Sequence, residues 1–495
     1  MDKDRRVVLQ SGAIGAAIAG VSAIFPRAFA QSASKSGNSI QGQSIANLKR
    51  RLSNGSVTSR QLVENALAAI NDPNGEGKAS FIKVHVEKAL KTADAIDAQR
   101  KKGLAVPSQV PGLAGIPISV KDLFDEAGET TLGGSIVLIG QPAAAQDATV
   151  VRRLREAGAI IMGRTNTVEF AYTGLGINPH YGTPKNVFDR ATGRIPGGST
   201  SGGAISVADG MAAAAIGTDT GGSLRIPSAL NGLVGFKPTQ GRVSRDGVMP
   251  LSTSFDSAGP IGWTVEDCAF LDSIIADQKP EPSAPLTVKQ LRLAVPQTYF
   301  QNELSPEVAK AFGAALSKLS AAGAKIVELP MTEFAMTPTI NPKGMITASE
   351  AYAWHRKFIK DGADKYDPRV LARIKTGETI LAADYVDLQT LRREFIRKVN
   401  AAAKGFDAML MPTTPDIAPP ISEVLKDDET YYRINARMLR NPSAVNISDG
   451  CALSVPCHES GEAPVGFMVA GTQNQDQHIL AAGRAIEAVV TPKRN

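Results

Sequence analysis

IPGGSTSGGAISVADGMAAAAIGTDTGGSLRIPSALNGLVGFKPTQGRVS, residues 195–244, sets two glycine-rich turns in an apolar frame. The first, Gly197-Gly198-Ser199-Thr200-Ser201-Gly202-Gly203, is dense in hydroxyls and free of charge. Taken alone, such a turn is more often a flexible or anion-binding loop than a catalytic one. The second, Gly217-Thr218-Asp219-Thr220-Gly221-Gly222-Ser223, follows an apolar run, 211–216, and precedes Leu224-Arg225-Ile226-Pro227. It is therefore expected to press against a core rather than to hang between elements.

A serine behind two glycines in a tight turn has a use in acyl transfer. Without Cβ atoms, Gly221 and Gly222 let a carbonyl approach and leave N–H groups to point at it, each donor typically contributing about 3 kcal/mol of transition-state stabilisation. Such a serine still needs a base. The nearest histidine is His180, and the GxSxG elbow is absent because position 200, between Ser199 and Ser201, is Thr. A lysine held neutral can serve instead, and Lys121 closes the apolar run 113–120 just before Asp122-Leu123-Phe124. Bringing a lysine from about 10.4 to near 7 takes roughly 4 to 5 kcal/mol, which desolvation at a buried strand end can supply. The alternative is a lysine whose head reaches solvent, and spacing alone does not choose between them.

Outward from this stretch, strand-length apolar runs alternate with helical patterns. Thr58 and Gln61 make a capping-box pattern, after which Leu62, Ala66, Leu67 and Ile70 share one helical face. Residues 81–84 read as a short strand, and the Ala-rich run 87–100 as a helix ended by Gly103. Asp147 is expected to cap a helix through Ala157, with Gly158 ending it and 159–162 forming a buried strand. A strand at 291–295, a helix from Ser305-Pro306 to Ala322 stopped by Gly323, and a strand at 324–329 repeat the unit as in a right-handed βαβ crossover. Runs at 408–411, 453–455 and 465–469 add further strands. This alternation predicts an α/β fold: a single large domain with a central mixed, mostly parallel sheet covered by helices on both faces. No Pro/Ser-rich linker, charge block or fixed-period repeat divides it.

Composition closes other routes. The 495 residues are 43% hydrophobic and 21% charged, enough for a large core and incompatible with wholesale disorder. Lys and Arg outnumber Asp and Glu by 54 to 48, with no basic block interleaved with aromatics, so no nucleic-acid partner is indicated. The three cysteines, Cys268, Cys451 and Cys457, have no CxxC or Cys/His spacing, which rules out a disulfide scaffold and that kind of zinc site. The five histidines include no HExxH pair, and there is no GxxxxGK[ST] phosphate loop. Neither a metal nor a cofactor is expected.

At the N-terminus, Arg5 and Arg6 precede a moderately apolar stretch, 12–25, too short to span a bilayer, followed by Ala28-Phe29-Ala30. The pattern is that of a twin-arginine signal peptide, residues 1–30, cleaved after Ala30; the alternatives are an ordinary secretory signal or a short anchor. A Ser/Gly/Gln-rich linker, 31–44, then leads to one domain over 45–495. The expected location is periplasmic or secreted, with no stable membrane insertion once the signal is removed.

Lys121 in GIPISVKDLFD, Ser199 in GGSTSGG, Ser223 in GTDTGGSLRIPS, and then GFKPTQGRVS resemble the ordered motifs of the amidase signature family of serine hydrolases. The likeness extends to Gly163-Arg164-Thr165-Asn166 with Glu169-Phe170, to Met411-Pro412-Thr413-Thr414-Pro415, and to Asn446-Ile447 with Leu453-Ser454-Val455-Pro456 and Pro464-Val465-Gly466. It covers residues 45–485. The resemblance implies a Ser-cisSer-Lys catalytic triad, with Ser223 as nucleophile, Ser199 as bridging serine after a cis peptide bond, and Lys121 as base. The two serines are 24 residues apart, as in the family. It also implies an oxyanion hole of backbone N–H groups from Thr220, Gly221, Gly222 and Ser223. Asp219 and Arg225, flanking the glycine pair, are expected to brace the loop rather than react. Thr200 stands where the family usually has Ser or Gly; it keeps a hydroxyl for a supporting hydrogen bond, and its methyl is expected to narrow the loop or the pocket edge.

The activity so implied is hydrolysis of a small carboxylic amide to acid plus ammonia or amine through a Ser223 acyl-enzyme, compatible with a homodimer. The same chemistry would cleave esters, anilides or carbamates. Overall resemblance suggests aryl- or indole-acetamide-like substrates. A second reading is the A subunit of a glutamine-dependent tRNA amidotransferase, which shares the motifs but is opposed by the export signal. A third is a non-enzymatic periplasmic binding protein, for which the Lys121, Ser199 and Ser223 set would be superfluous. Residues 345–388, with Glu350, Tyr352, Trp354, His355 and Tyr385, either line the substrate pocket or form an exposed helical pair with aromatic anchors.

Overall fold

The computed structural model describes residues 39–103, 112–278 and 285–492, so the expected signal peptide and most of the linker lie outside the described residues. All the described residues fall in one contact unit, Lys35–Asn495. Its strands are β1 (Phe81–Val84), β2 (Pro117–Lys121), β3 (Ile160–Thr165), β4 (Ala214–Asp219), β5 (Val234–Lys237), β6 (Ser257–Gly262), β7 (Arg292–Pro296), β8 (Lys325–Leu329), β9 (Ala408–Pro412), β10 (Cys451–Pro456) and β11 (Gly466–Gly471). They form one sheet in the order β1-β3-β2-β4-β6-β5-β10-β11-β9-β7-β8.

The period-2 alternation of side chains explains why the sheet needs cover on both faces. Cys451, Leu453, Val455, Phe467 and Val469 enter a core with Val308, Phe312, Ile479 and Ile486, from the helices Pro306–Ala321 and Asp476–Val490. Their neighbours Ala452, Met468 and Ala470 enter a different core, with Phe300, Phe334 and Phe395. The result is the expected α/β domain, with a mixed sheet between helical layers. The expectation that the sheet is mostly parallel needs correction. Four pairings are parallel and six are antiparallel. The cause is connectivity: β10 and β11 are joined by a short loop and β5 and β6 by a helix-free segment, so these strands return alongside one another without a crossover helix.

Local signals behave as their chemistry requires, with one exception. Thr58 Oγ1 accepts from the Gln61 N–H at 3.1 Å while Gln61 Oε1 accepts from the Thr58 N–H at 3.0 Å, completing the capping box of the helix Ser59–Ile70. β7 and β8 lie parallel and paired, with the helix Pro306–Ala321 between them in sequence. Asp147, however, does not cap a helix. Its Oδ1 accepts from the Ala127 N–H at 2.8 Å and the carboxylate pairs with Arg155, leaving the helix Thr149–Glu156 to start from Ala148 without a side-chain cap. A helix at Ile45–Ser53, capped by Ser44, was not anticipated, although Ile45, Leu48 and Leu52 are its buried face.

Three features bring distant segments to one edge. β2 and β4 are parallel neighbours with Val120 opposite Ile216, so Lys121 and Asp219 emerge at the same strand ends, where open α/β sheets bind ligands. The helix Ser201–Ala208 packs on β2, β3 and β4, bringing the preceding Ser199-Thr200 to that edge. Residues 220–223 then turn from β4 toward the helix Arg225–Leu230. Among the described residues, no helix is long and apolar enough to cross a membrane.

Candidate active site

Lys121 ends β2 with no exposed surface. Its Nζ donates to Ser199 Oγ at 2.7 Å and to Thr218 Oγ1 at 2.8 Å. Burial lowers its pKa from 10.5 to about 7, against the charges of Asp219 and Asp256, which pull it up. When the amine is neutral, one N–H can remain on Thr218 while the nitrogen lone pair faces the Ser199 hydroxyl. That arrangement can accept and return a proton near pH 7.

Ser199 follows a cis Gly198–Ser199 peptide bond. Its carbonyl accepts from the Val168 N–H at 3.2 Å, the Ser201 N–H at 2.8 Å and Thr167 Oγ1 at 2.9 Å, which anchors the first glycine turn on three sides. The two turns meet through Thr200, whose N–H donates to the Ser223 carbonyl at 3.3 Å. Thr200 is fully buried, and its hydroxyl donates to the Thr218 carbonyl at 3.4 Å, a long bond. Its methyl lies over Gly217, away from the cavity that Ser223 lines, so the expected narrowing of the pocket edge is not found.

That cavity has a volume of about 590 Å³ and is lined in part by Thr220, Gly221, Ser223, Tyr172, Phe255 and Tyr432. Asp219 and Arg225 lie beneath the loop and form no part of the lining. Arg225 Nη2 donates to Asp219 Oδ1 at 3.0 Å and Nε to Oδ2 at 3.1 Å, with both side chains fully buried. Burial alone would raise Asp219, but Arg225, Lys237 and Asn446 hold it well below the usual carboxylate range. The same carboxylate accepts from the Gly222 N–H at 2.8 Å and the Leu224 N–H at 3.1 Å.

This corrects the expected oxyanion donors. The Gly222 N–H is turned to Asp219, whereas among the described residues none accepts from the N–H groups of Thr220, Gly221 or Ser223. Gly222 has φ 132, a backbone conformation suited to glycine, and a Cβ there would lie 2.7 Å from Pro442 Cγ.

Three neighbours were not singled out by sequence. Thr218 holds Lys121 from the adjacent strand. Asp256 accepts from Thr220 Oγ1 at 2.6 Å and from the N–H groups of Leu251 at 3.0 Å and Ser252 at 2.9 Å; burial raises it to about 6 against these bonds. Asn446, seen only as part of a motif, donates to Asp219 Oδ1 at 2.8 Å and accepts from Arg225 at 2.6 Å. A hydroxyl near the end of β4 was the only local signal for Thr218, and it needs the strand order to be read. Asp256 had none.

The 345–388 region divides differently from expectation. Within it Thr347 and Arg373 line the cavity, with Lys343 and Gly344 just before it, while Glu350, Tyr352, Trp354, His355 and Tyr385 do not. Trp354 and His355 pack on Phe170 with ring centroids 6.0 and 4.4 Å away, and Glu350 accepts from Ser252, Ser254 and Tyr385. Aromatic bulk draws Trp354 and His355 into a packed cluster rather than to the cavity wall, and hydroxyl partners hold Glu350. Among the described residues no group of three His, Cys, Asp or Glu side chains is arranged to hold a metal ion.

The family model described as Amidase matches residues 61–480. A 2-amino-5-chloromuconic acid deaminase from Comamonas testosteroni is 34% identical over 411 residues, covering 81% of this chain and 87% of that protein. The A subunit of the glutamyl-tRNA(Gln) amidotransferase from Chloroflexus aggregans is 34% identical over 477 residues, covering 88% of this chain and 94% of its own length. A crystal structure of an amidase superposes with a TM-score of 0.80 at 32% identity, over 90% of this chain and all of that one.

Proposed function

Because the chain belongs to the amidase signature family, we propose that this family hydrolase cleaves a carboxylic amide to acid plus ammonia or amine through an acyl-enzyme on Ser223. The observation that carries the reading is the buried Lys121 Nζ at 2.7 Å from Ser199 Oγ, its pKa lowered to about 7, beside a cavity lined by Ser223. Neutral Lys121 takes the Ser199 proton as Ser199 takes that of Ser223, whose Oγ attacks the amide carbon. The oxyanion is received by the N–H groups of Thr220, Gly221 and Ser223, each such donor typically contributing about 3 kcal/mol. The proton returns from Lys121 through Ser199 to the leaving nitrogen. Water then adds to the acyl-enzyme by the same relay, releasing the acid and restoring Ser223.

Asp219, Arg225 and Asn446 brace the turn from below, and Thr200 ties the two glycine turns together. The identity to amidotransferase A subunits favours a second reading, in which the amide is glutamine and partner subunits use the ammonia. Against it, none of the residues lining the cavity is Asp or Glu, so the ammonium of glutamine would find no counter-ion there. The sequence pattern of residues 1–30 supports export by a twin-arginine route, with the amidase domain following the linker 31–44.

The test is turnover of a panel of amides, anilides, esters and carbamates by the purified mature protein and by Ser223→Ala. Amide hydrolysis that disappears in the variant is expected; amide hydrolysis surviving unchanged in Ser223→Ala would refute the acyl-enzyme. Recovery of the protein in a periplasmic fraction without co-purifying subunits would separate the hydrolase from the amidotransferase reading.

A further inference from the structure

The cavity that holds Ser223 is walled by cations that lack counter-ions. Arg373, in the last turn of the helix Pro368–Lys375, and Arg440, on the helix Asp428–Ile447, both line it, with Lys343 exposed at its margin. Arg373 donates through Nη1 to the Tyr172 carbonyl and lies with its guanidinium carbon 4.3 Å from the Tyr172 ring centroid. Arg440 donates to Asn441 Oδ1 at 3.0 Å and, weakly, to the Phe300 carbonyl at 3.4 Å.

All of these acceptors are neutral. Among the described residues, no carboxylate lies within 4.0 Å of either guanidinium. The acids nearby are committed elsewhere: Asp428 pairs with Arg369 at 2.7 Å, Asp416 with Arg437 at 2.7 Å, and Glu303 with Arg437 at 3.6 Å. A guanidinium stays charged at any working pH and offers five N–H donors in a planar fork, so each of the two retains donors facing no partner of opposite sign. Partly buried guanidiniums lining a cavity keep these donors free for a ligand that brings an anion, and the group that matches the fork is a carboxylate.

We propose that the substrate is an amide that bears a carboxylate elsewhere in the molecule, held by Arg373 and Arg440 while its amide carbon lies at Ser223. This rests on the amide-hydrolase reading of the site and narrows it. The lack of any acidic lining residue argues in the same direction, since an amide bearing an ammonium instead would meet three cations and no anion. The aromatic and aliphatic side chains of Phe255, Tyr432 and Leu439 fit an apolar spacer between the two ends.

The experiment compares kcat/KM for monoamides of four- to six-carbon dicarboxylic acids with that of the neutral diamide of the same acid, on the wild-type protein and on Arg373→Gln and Arg440→Gln. A preference of at least about tenfold for the carboxylated amide is expected, mainly in KM, falling toward one in each variant. In the wild type, added salt should raise KM for the monoanion and leave that of the diamide unchanged, a readout that does not depend on the variants folding. Equal kcat/KM for the two substrates, with Ser223 labelled by a fluorophosphonate, would overturn the substrate class and leave the hydrolase reading standing. Failure of Ser223 either to label or to turn over any amide would overturn both.

Discussion

Neutralising Lys121 should move the pH dependence of the whole reaction. The side chain is fully buried, and its pKa falls from 10.5 to about 7. At 1.36 kcal/mol for each tenfold change, that drop is about 5 kcal/mol of lost preference for the ammonium. Only the neutral amine can take the Ser199 proton, so kcat/KM should climb about tenfold for each pH step below 7, bend near 7 and level off above it. An exposed lysine would climb until about pH 10.4, with only about one molecule in 2,500 ready at pH 7.

Asp256 offers a second handle on the same group, because its charge favours the ammonium and it is ionised above about pH 6. Asp256→Asn should therefore shift the bend to lower pH. The assay is steady-state kcat/KM at constant ionic strength from about pH 5 to 10 for wild type, Asp256→Asn and Lys121→Ala. A bend that survives in Lys121→Ala, or that lies close to the pKa of a free lysine, would refute the reasoning.

Stability should respond to the same lysine in a higher pH window. Its folded pKa, about 7, lies below its unfolded value, so the burial penalty is full below pH 7, fades as pH rises and vanishes near 10.5. Lys121→Met should raise the melting temperature at pH 6 more than at pH 10 by calorimetry, and equal gains would contradict the assignment. Arg225→Leu strands the buried Asp219 carboxylate and should cost about 3 to 5 kcal/mol in urea unfolding at neutral pH. Gly198→Ala puts a Cβ 2.6 Å from the Gly176 backbone nitrogen, which cannot swing away as a side chain could. Loss of both activity and melting temperature is expected there, and wild-type values for both would show that the turn has more room than the structure allows.

What the sequence determined by itself was the layered α/β architecture, and its motifs singled out the segments that converge. Period-2 and period-3.6 apolar patterns report which face of each element is buried, and Lys121 sits at the close of an apolar run. Those patterns carry no information about which strands are neighbours. Strand direction therefore escaped the reading: β5 with β6, and β10 with β11, pair antiparallel through connections that contain no crossover helix.

The partners of the reacting groups escaped for the same reason. Thr218 reaches Lys121 across 97 residues and only because β4 lies beside β2, and Asp256 reaches Thr220 from another segment. Gly222 was expected to donate to an oxyanion because a Gly-Gly pair leaves its amides free of side-chain bulk. Tertiary structure decided otherwise, setting the Asp219 carboxylate beneath the turn where it captures that N–H. The cationic wall is likewise a product of packing, since Arg373 and Arg440 belong to helices with no pattern linking them, and only the folded chain turns both toward the cavity that Ser223 lines. Local pattern decides burial because it depends on neighbours along the chain; charge and hydrogen-bond complementarity depend on neighbours in space.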